Sequence, residues 1–283
     1  MTSHLLIDAG NTRIKWRWTG GGTHVAGVVG AAGVTGMADT RAVRALPIAE
    51  LAAICKLADD MVITAANVAG EIVAMRLRES VAPRPIHFIT VTAAACGVTN
   101  RYLKASHLGP DRFAALIAAH HVRRPVPVAR LVVMAGTALT IDALTADGVF
   151  LGGVIAPGPT LMRNALHQAT AALPDATATV GSDRIDRDAF PLDTHAAIAA
   201  GTLDATIGAI LQSARRLRQH GHADCEIIAS GGAMPQLLAP LASCPSLPLT
   251  IIDDLVLQGL LLLAANYTGH TGHTAAAVTS QSD

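Results

Sequence analysis

Charged side chains are scarce in this chain: 15% of 283 residues, with 21 Lys and Arg balanced by 21 Asp and Glu to a formal net charge of zero. Without a basic field, nothing is available to hold nucleic acid or an anionic membrane, and the expected partner is a small molecule. Aromatics make up only 3%, and the four cysteines, Cys55, Cys96, Cys225 and Cys244, contain no Cys-x-x-Cys pair. In a chain of this length they read as buried thiols rather than a disulfide frame or a zinc site, which fits a reducing cytoplasm. His120-His121, His270 and His273 lack the flanking Cys or carboxylate spacing of a metal cage, so no histidine metal centre is expected. Long apolar runs are missing too. Leu255 to Ala265 is broken by Gln258 and is about half of the ~20 residues a spanning helix needs, so it reads as a buried helix in a soluble protein. Met1-Thr2-Ser3-His4 leads into a strand-like run without a basic or long apolar leader, and no export signal is expected.

What the chain does have is apolar residues, 51% of it, enough for one large domain or two of roughly 100 to 150 residues each. Strand-like runs at Leu5 to Asp8, Ile14 to Trp18 and His24 to Val29 are separated by turn compositions and read as a meander. Helix near Arg41 to Leu57, strand Met61 to Ala65, helix Glu71 to Arg78 and strand Ile86 to Ile89 follow, an α/β alternation. Arg123-Arg124-Pro125-Val126-Pro127 then suits a domain junction. After it the pattern restarts with strands at Leu131 to Met134, Leu139 to Ala143 and Val149 to Ile155 and helices near Thr160 to Ala171 and Thr194 to Arg218. Strand Glu226 to Ala229, helix Gln236 to Leu241, strand Leu249 to Ile252 and the helix from Leu255 complete it. The two halves share their element order, and duplication is the simplest reading. The expected domains are 1–124 and 125–267, with an unstructured tail over 268–283.

Asp8 closes the first strand, and Gly10 lets the chain turn so that the amides of Gly10, Asn11 and Thr12 can face a phosphate. A carboxylate beside such a loop suits hydrated Mg²⁺, and Lys15 on the returning strand can add positive charge. An ordinary hairpin would use the same residues. The repeat of the device at Gly136-Thr137-Ala138 favours two phosphate loops gripping one triphosphate from opposite sides of an interdomain cleft. Leu108-Gly109-Pro110-Asp111-Arg112 stands before a helical run. Gly-Pro-Asp is also a plain capping signal. Arg112 is not, because a cation in the first turn of a helix is electrostatically disfavoured and is better explained as a clamp for a ligand carboxylate. Asp111 can accept a proton from a substrate hydroxyl during phosphoryl transfer.

The paired loops resemble those of the superfamily of acetate and sugar kinases, heat-shock ATPases and actin. In order along the chain, Asp8-Ala-Gly-Asn-Thr-Arg-Ile-Lys15, Asn100-Arg-Tyr102, Leu108-Gly-Pro-Asp-Arg112, Gly136-Thr-Ala-Leu-Thr-Ile-Asp142, Gly152-Gly-Val-Ile-Ala-Pro-Gly158, Thr194 and Ser230-Gly-Gly232 resemble the motif set of type III pantothenate kinases. The resemblance covers about Leu5 to Leu262; each motif alone is weak, and the ordered set is specific. It implies an α/β fold of two duplicated ribonuclease-H-like halves, the actin-like ATPase fold with a cleft between them. The implied activity is ATP-dependent phosphorylation of the terminal hydroxyl of pantothenate, the first committed step toward coenzyme A, in a cytoplasmic homodimer with substrate sites near the interface.

Position by position, the resemblance implies ATP contacts at Asp8, Ala9, Gly10, Asn11, Thr12, Arg13, Ile14, Lys15 and Thr137, with Asp8 on Mg²⁺ through water. Asp111 is the implied base. Tyr102, Gly109, Pro110, Asp111 and Arg112 are the implied pantothenate contacts, and Thr194 reaches substrate across the dimer. Gly152-Gly153 and Pro157-Gly158 either floor the adenosine pocket or serve close packing. One departure stands out: Met134 occupies the place where many members of the family carry an Asp that binds K⁺ or NH₄⁺. A thioether is a poor ligand for a hard cation, so dependence on K⁺ or NH₄⁺ is expected to be weak or absent. The competing readings are a non-catalytic regulatory or accessory protein, a nucleotide-driven binding module, and another small-molecule kinase of the same superfamily. The neutral charge and lack of a basic recognition helix speak against direct DNA binding.

Overall fold

In chain order the elements are β1 (His4–Ala9), β2 (Arg13–Thr19), β3 (Gly33–Asp39), α1 (Thr40–Ala45), α2 (Ala49–Ile54), β4 (Val62–Asn67), α3 (Glu71–Val81), β5 (Ile86–Phe88), β6 (Ala94–Ala95), β7 (Val98–Asn100) and α4 (Pro110–His120). They continue with β8 (Ala129–Ala135), β9 (Ala138–Leu144), β10 (Val149–Pro157), α5 (Pro159–Ala169), α6 (Thr194–Gln219), β11 (Cys225–Ser230), α7 (Met234–Ala242), β12 (Leu249–Ile251) and α8 (Leu255–Thr274). The computed structural model describes residues 3–20, 33–170, 173–174, 190–242 and 247–274. Two units emerge: Met1–Arg123 with Leu255–Asp283, and Arg124–Asp254.

The first unit is built on a five-stranded sheet in the order β3-β2-β1-β4-β5. β1 pairs antiparallel with β2 and parallel with β4. Side chains alternate across a strand, so Leu5, Ile7 and Ala9 of β1 and Ile14 and Trp16 of β2 share one face. There they pack with Val43, Leu51, Ile54, Val73, Leu77 and Val81 of α1 to α3. Asp8 and Lys15 stand directly opposite each other in the β1–β2 register and therefore project from the other face. That face carries α4 and α8, which pack on each other, with α8 on β1 and β4.

Two expectations change here. The helix expected over Arg41 to Leu57 is two helices, because Leu46 turns extended (φ −137°, ψ 148°). The following Pro47 accounts for this: its ring disfavours helical geometry in the preceding residue, and it offers no amide of its own. The strand expected at His24 to Val29 lies outside the described residues, and the strand that pairs with β2 is β3, from Gly33 to Asp39.

The second unit repeats the plan. Its sheet runs β12-β11-β8-β9-β10, with β8–β9 and β9–β10 antiparallel and β8–β11 and β11–β12 parallel. Strand for strand, this is the order and sense of β5-β4-β1-β2-β3, as a duplication requires. α6 is long and apolar enough to cross a membrane by length and composition. Its Leu203, Ile210, Ala214 and Leu217 instead form a buried stripe against the sheet, the spacing of an amphipathic core helix. At the sheet's other end the buried Glu226 carboxylate accepts from Arg130 Nε at 2.9 Å and Arg124 Nε at 2.7 Å.

The division at Arg123 and Arg124 adjoins the expected boundary, but α8, expected with the second half, belongs to the first unit. Its helix also continues past Thr268 to Thr274, into the segment expected to be without structure; residues 275–283 lie outside the described residues.

Candidate active site

The loop between β1 and β2 is closed by its own backbone: the Gly10 N–H donates to the Arg13 carbonyl at 3.1 Å. This corrects the expectation that the Gly10 amide faces a phosphate, since it is spent in holding the turn. Asn11 and Thr12 sit exposed at the tip, while Asp8 and Lys15 are half-buried at its base. The loop is fastened from outside by Thr40, fully buried, whose N–H donates to the Thr12 carbonyl at 3.1 Å and whose hydroxyl donates to the Gly10 carbonyl at 2.8 Å. Thr40 went unnoticed in the sequence, where it reads only as the first residue of a helix.

The β8–β9 loop in the second unit is built the same way. The Gly136 N–H donates to the Ala138 carbonyl at 3.0 Å, and the Gly158 N–H donates to the Thr137 carbonyl at 2.8 Å. A Cβ on Gly158 would overlap the Gly136 carbonyl, so Gly158 serves the close packing of this loop. Gly152 sits at a β-bulge in β10 with φ +127°, a backbone state that favours glycine. Met134 lies in β8, in register with Thr140 on one side and Ser230 on the other. Thr194 is exposed in the first turn of α6, where the helix is capped by the Asp193 carboxylate accepting from the Ala196 N–H at 2.9 Å.

Back in the first unit, α4 begins with Gly109 as its cap and Pro110 in the first turn. Asp111 follows, its Oδ1 accepting from the Arg112 N–H at 2.8 Å. A Cβ at position 109 would come within 2.5 Å of Asp111 Oδ1, so the carboxylate occupies a niche that any larger residue would fill. Burial pushes the Asp111 carboxyl above its ordinary value, and this outweighs the opposing pull of the Arg112 amide and guanidinium. The positive end of the helix also favours the anion, so desolvation prevails over three stabilising influences.

Arg112 is 6% exposed and Tyr102 half-buried. An Arg112 Nη donates to the Tyr102 hydroxyl at 3.1 Å. The connection carrying Tyr102 is shaped by Asn100, whose side-chain oxygen accepts from the Tyr102 N–H at 3.0 Å and whose amide donates to the Ala105 carbonyl at 3.3 Å. Asn100 is thus a second residue whose task only the structure reveals. Tyr102, Gly109, Asp111 and Arg112 therefore form one local cluster in the first unit, on the helix that shares a sheet face with Asp8. Thr137 and Thr194 belong to the second unit.

Among the described residues no three His, Cys, Asp or Glu side chains gather as a metal cage. The Asp8 carboxylate beside an exposed loop still fits Mg²⁺, which takes one or two carboxylates and completes its shell with phosphate oxygens and water.

Comparison with known proteins follows the same lines. The family model for type III pantothenate kinase matches residues 4–216. A type III pantothenate kinase of Paraburkholderia xenovorans is 36% identical, the match covering 95% of this chain and 97% of the relative. Among solved structures, glucokinase from Balamuthia mandrillaris in complex with glucose superposes with a TM-score of 0.55 at 12% identity, over 93% of this chain and 94% of the other. The activator of 2-hydroxyisocaproyl-CoA dehydratase from Clostridium difficile, with bound ADPNP, gives 0.51 at 12% identity over 100% of both. These likenesses show the fold, that of the actin-like ATPases.

Proposed function

The chain belongs to the type III pantothenate kinase family, and on that premise we propose how its residues divide the work of an ATP-dependent pantothenate kinase. The reaction moves the terminal phosphoryl group of ATP to the terminal hydroxyl of pantothenate, giving ADP and phosphopantothenate.

Asp111 is the general base. Its Oδ1 is engaged by the Arg112 amide, leaving Oδ2 to accept the hydroxyl proton as the oxygen takes the phosphoryl group. The raised pKa makes this carboxylate a stronger base than an exposed aspartate. Arg112, with Tyr102 fixing its fork, clamps the pantothenate carboxylate. Gly109 and Pro110 line the same niche. The observation that carries this assignment is the Asp111 carboxylate, set by Gly109 into a partly desolvated niche beside a buried arginine.

The Asp8 to Lys15 loop and Thr137 take phosphate oxygens of the nucleotide, the exposed amides of the first loop and Lys15 offsetting negative charge. Asp8 would hold Mg²⁺, through water, and the bound ion supplies charge neutralisation at the phosphates. With Met134 in β8, dependence on K⁺ or NH₄⁺ is weak or absent. The working form is a cytoplasmic homodimer in which Thr194, exposed on α6, reaches the substrate of the neighbouring subunit.

The direct test is ADP release coupled to pantothenate addition. Wild-type chain should release ADP only when pantothenate is present, and Asp111→Asn should abolish release with the fold retained by circular dichroism. Pantothenate-independent hydrolysis would instead favour a nucleotide-driven module.

A further inference from the structure

The two loops are held by matching backbone hydrogen bonds. Gly10 N–H to Arg13 corresponds to Gly136 N–H to Ala138, Thr40 N–H to Thr12 corresponds to Gly158 N–H to Thr137, and Val68 N–H to Ala9 corresponds to Ala233 N–H to Ala135. They differ in two respects. The first loop carries an extra residue, since Gly10, Asn11 and Thr12 separate β1 from β2 whereas only Gly136 and Thr137 separate β8 from β9. The first loop also has a tie the second lacks: Thr40, standing where the second unit has Gly158, adds the hydroxyl bond to the Gly10 carbonyl at 2.8 Å.

That bond fixes the orientation of a peptide plane. The Gly10 carbonyl and the Asn11 N–H belong to one planar trans unit and point in opposite directions. Drawing the carbonyl inward to a fully buried hydroxyl turns the Asn11 N–H outward, at the exposed tip of the loop. Glycine at position 10 would otherwise let this plane rotate at little cost. We propose that Thr40 is a positioning residue for nucleotide binding: its hydroxyl locks the Gly10–Asn11 peptide so that the Asn11 N–H faces the phosphate. This rests on the assignment of the first loop to ATP. Without the hydroxyl, the Gly10 carbonyl loses its partner and the plane rotates toward water to recover one.

Thr40→Val keeps the shape and removes the donor, whereas Thr40→Ser keeps the donor. We expect KM for ATP to rise roughly tenfold in Thr40→Val, KM for pantothenate to stay within about twofold, and Thr40→Ser to bind ATP nearly as the wild type does. Calorimetric titration with a non-hydrolysable ATP analogue, without pantothenate, should show the same loss. Should Thr40→Val be insoluble, Thr40→Ala set against Thr40→Ser makes the same comparison. An unchanged KM for ATP in Thr40→Val, or equal impairment in Thr40→Ser, overturns the proposal. If wild-type chain binds the analogue but releases no ADP with pantothenate, the functional assignment fails while the role of Thr40 in binding stands.

Discussion

The Arg112 guanidinium donates to the Tyr102 hydroxyl at 3.1 Å and lies over the same ring, 5.7 Å from its centroid. Arg112 is held at two points, through a hydrogen bond and through attraction to the ring face, by a tyrosine ten positions earlier in the chain. A planar guanidinium locked in this way presents a fixed fork, which a lysine could not.

Tyr102→Phe keeps the ring and loses the acceptor. A hydrogen bond to a charged group contributes about 1.5–3 kcal/mol, so KM for pantothenate should rise by about tenfold or more with kcat little changed. Steady-state kinetics separate the two parameters; an unaltered KM would remove Tyr102 from substrate binding.

Gly109→Ala brings a methyl group against Asp111 Oδ1. The carboxylate can swing aside, so melting temperature should change little. A displaced base is costly to the chemistry, and kcat should fall by roughly 10- to 100-fold. Thermal melting and turnover measured on one preparation give both readings.

Asp111 yields a pH prediction with a definite sign. Its folded-state pKa lies above the ordinary 3.8, so the native state holds this proton to higher pH than the unfolded chain does. Stability from this group falls as pH rises from the ordinary aspartate range through the raised folded-state value, above which the full cost is present. Asp111→Asn should therefore be inactive yet more stable than wild type at pH 7, with the gain vanishing in acid below the ordinary aspartate range. The acid limb of wild-type kcat should likewise fall above the ordinary aspartate value, because only the ionised carboxylate accepts the proton. Melting temperatures and rates across pH measure both effects.

Glu226 bridges Arg130 and Arg124 from a buried position. Glu226→Ala leaves the Arg130 cation, itself 4% exposed, without that carboxylate, and should cost about 3–5 kcal/mol. Glu226→Gln retains an acceptor and should cost less. Urea denaturation ranks the two, and a mild effect in Glu226→Ala would mean that the triad contributes little.

Met134 sets the last expectation. Turnover in Na⁺ buffer should match that in K⁺ buffer, since a thioether offers little to a hard cation. Strong activation by K⁺ would show that oxygen ligands elsewhere build the site.

The fold was largely legible because strand alternation and the repeat of a glycine turn after an apolar strand are local patterns. Asp8 on the first strand and Lys15 on the returning one were legible for the same reason, while the register that sets them directly opposite each other comes from the structure. The break at Leu46 was missed, although its cause, Pro47, is a local one. The third strand was not legible. Gly33 to Asp39 contains two glycines and little of the β-branched alternation by which strands are recognised; pairing with β2 makes it one.

By itself, then, the sequence determined the duplicated α/β plan and the family motifs, and with them the acidic and basic residues proposed for the site. Tertiary structure decided how those residues are held. It spent the Gly10 amide on the turn, gave Thr40 a partner thirty positions away, placed α8 with the first unit and bound Arg112 to Tyr102. Periodicity is written into neighbouring residues. A hydrogen bond between distant ones depends on where folding brings the two backbones, and no local pattern specifies that.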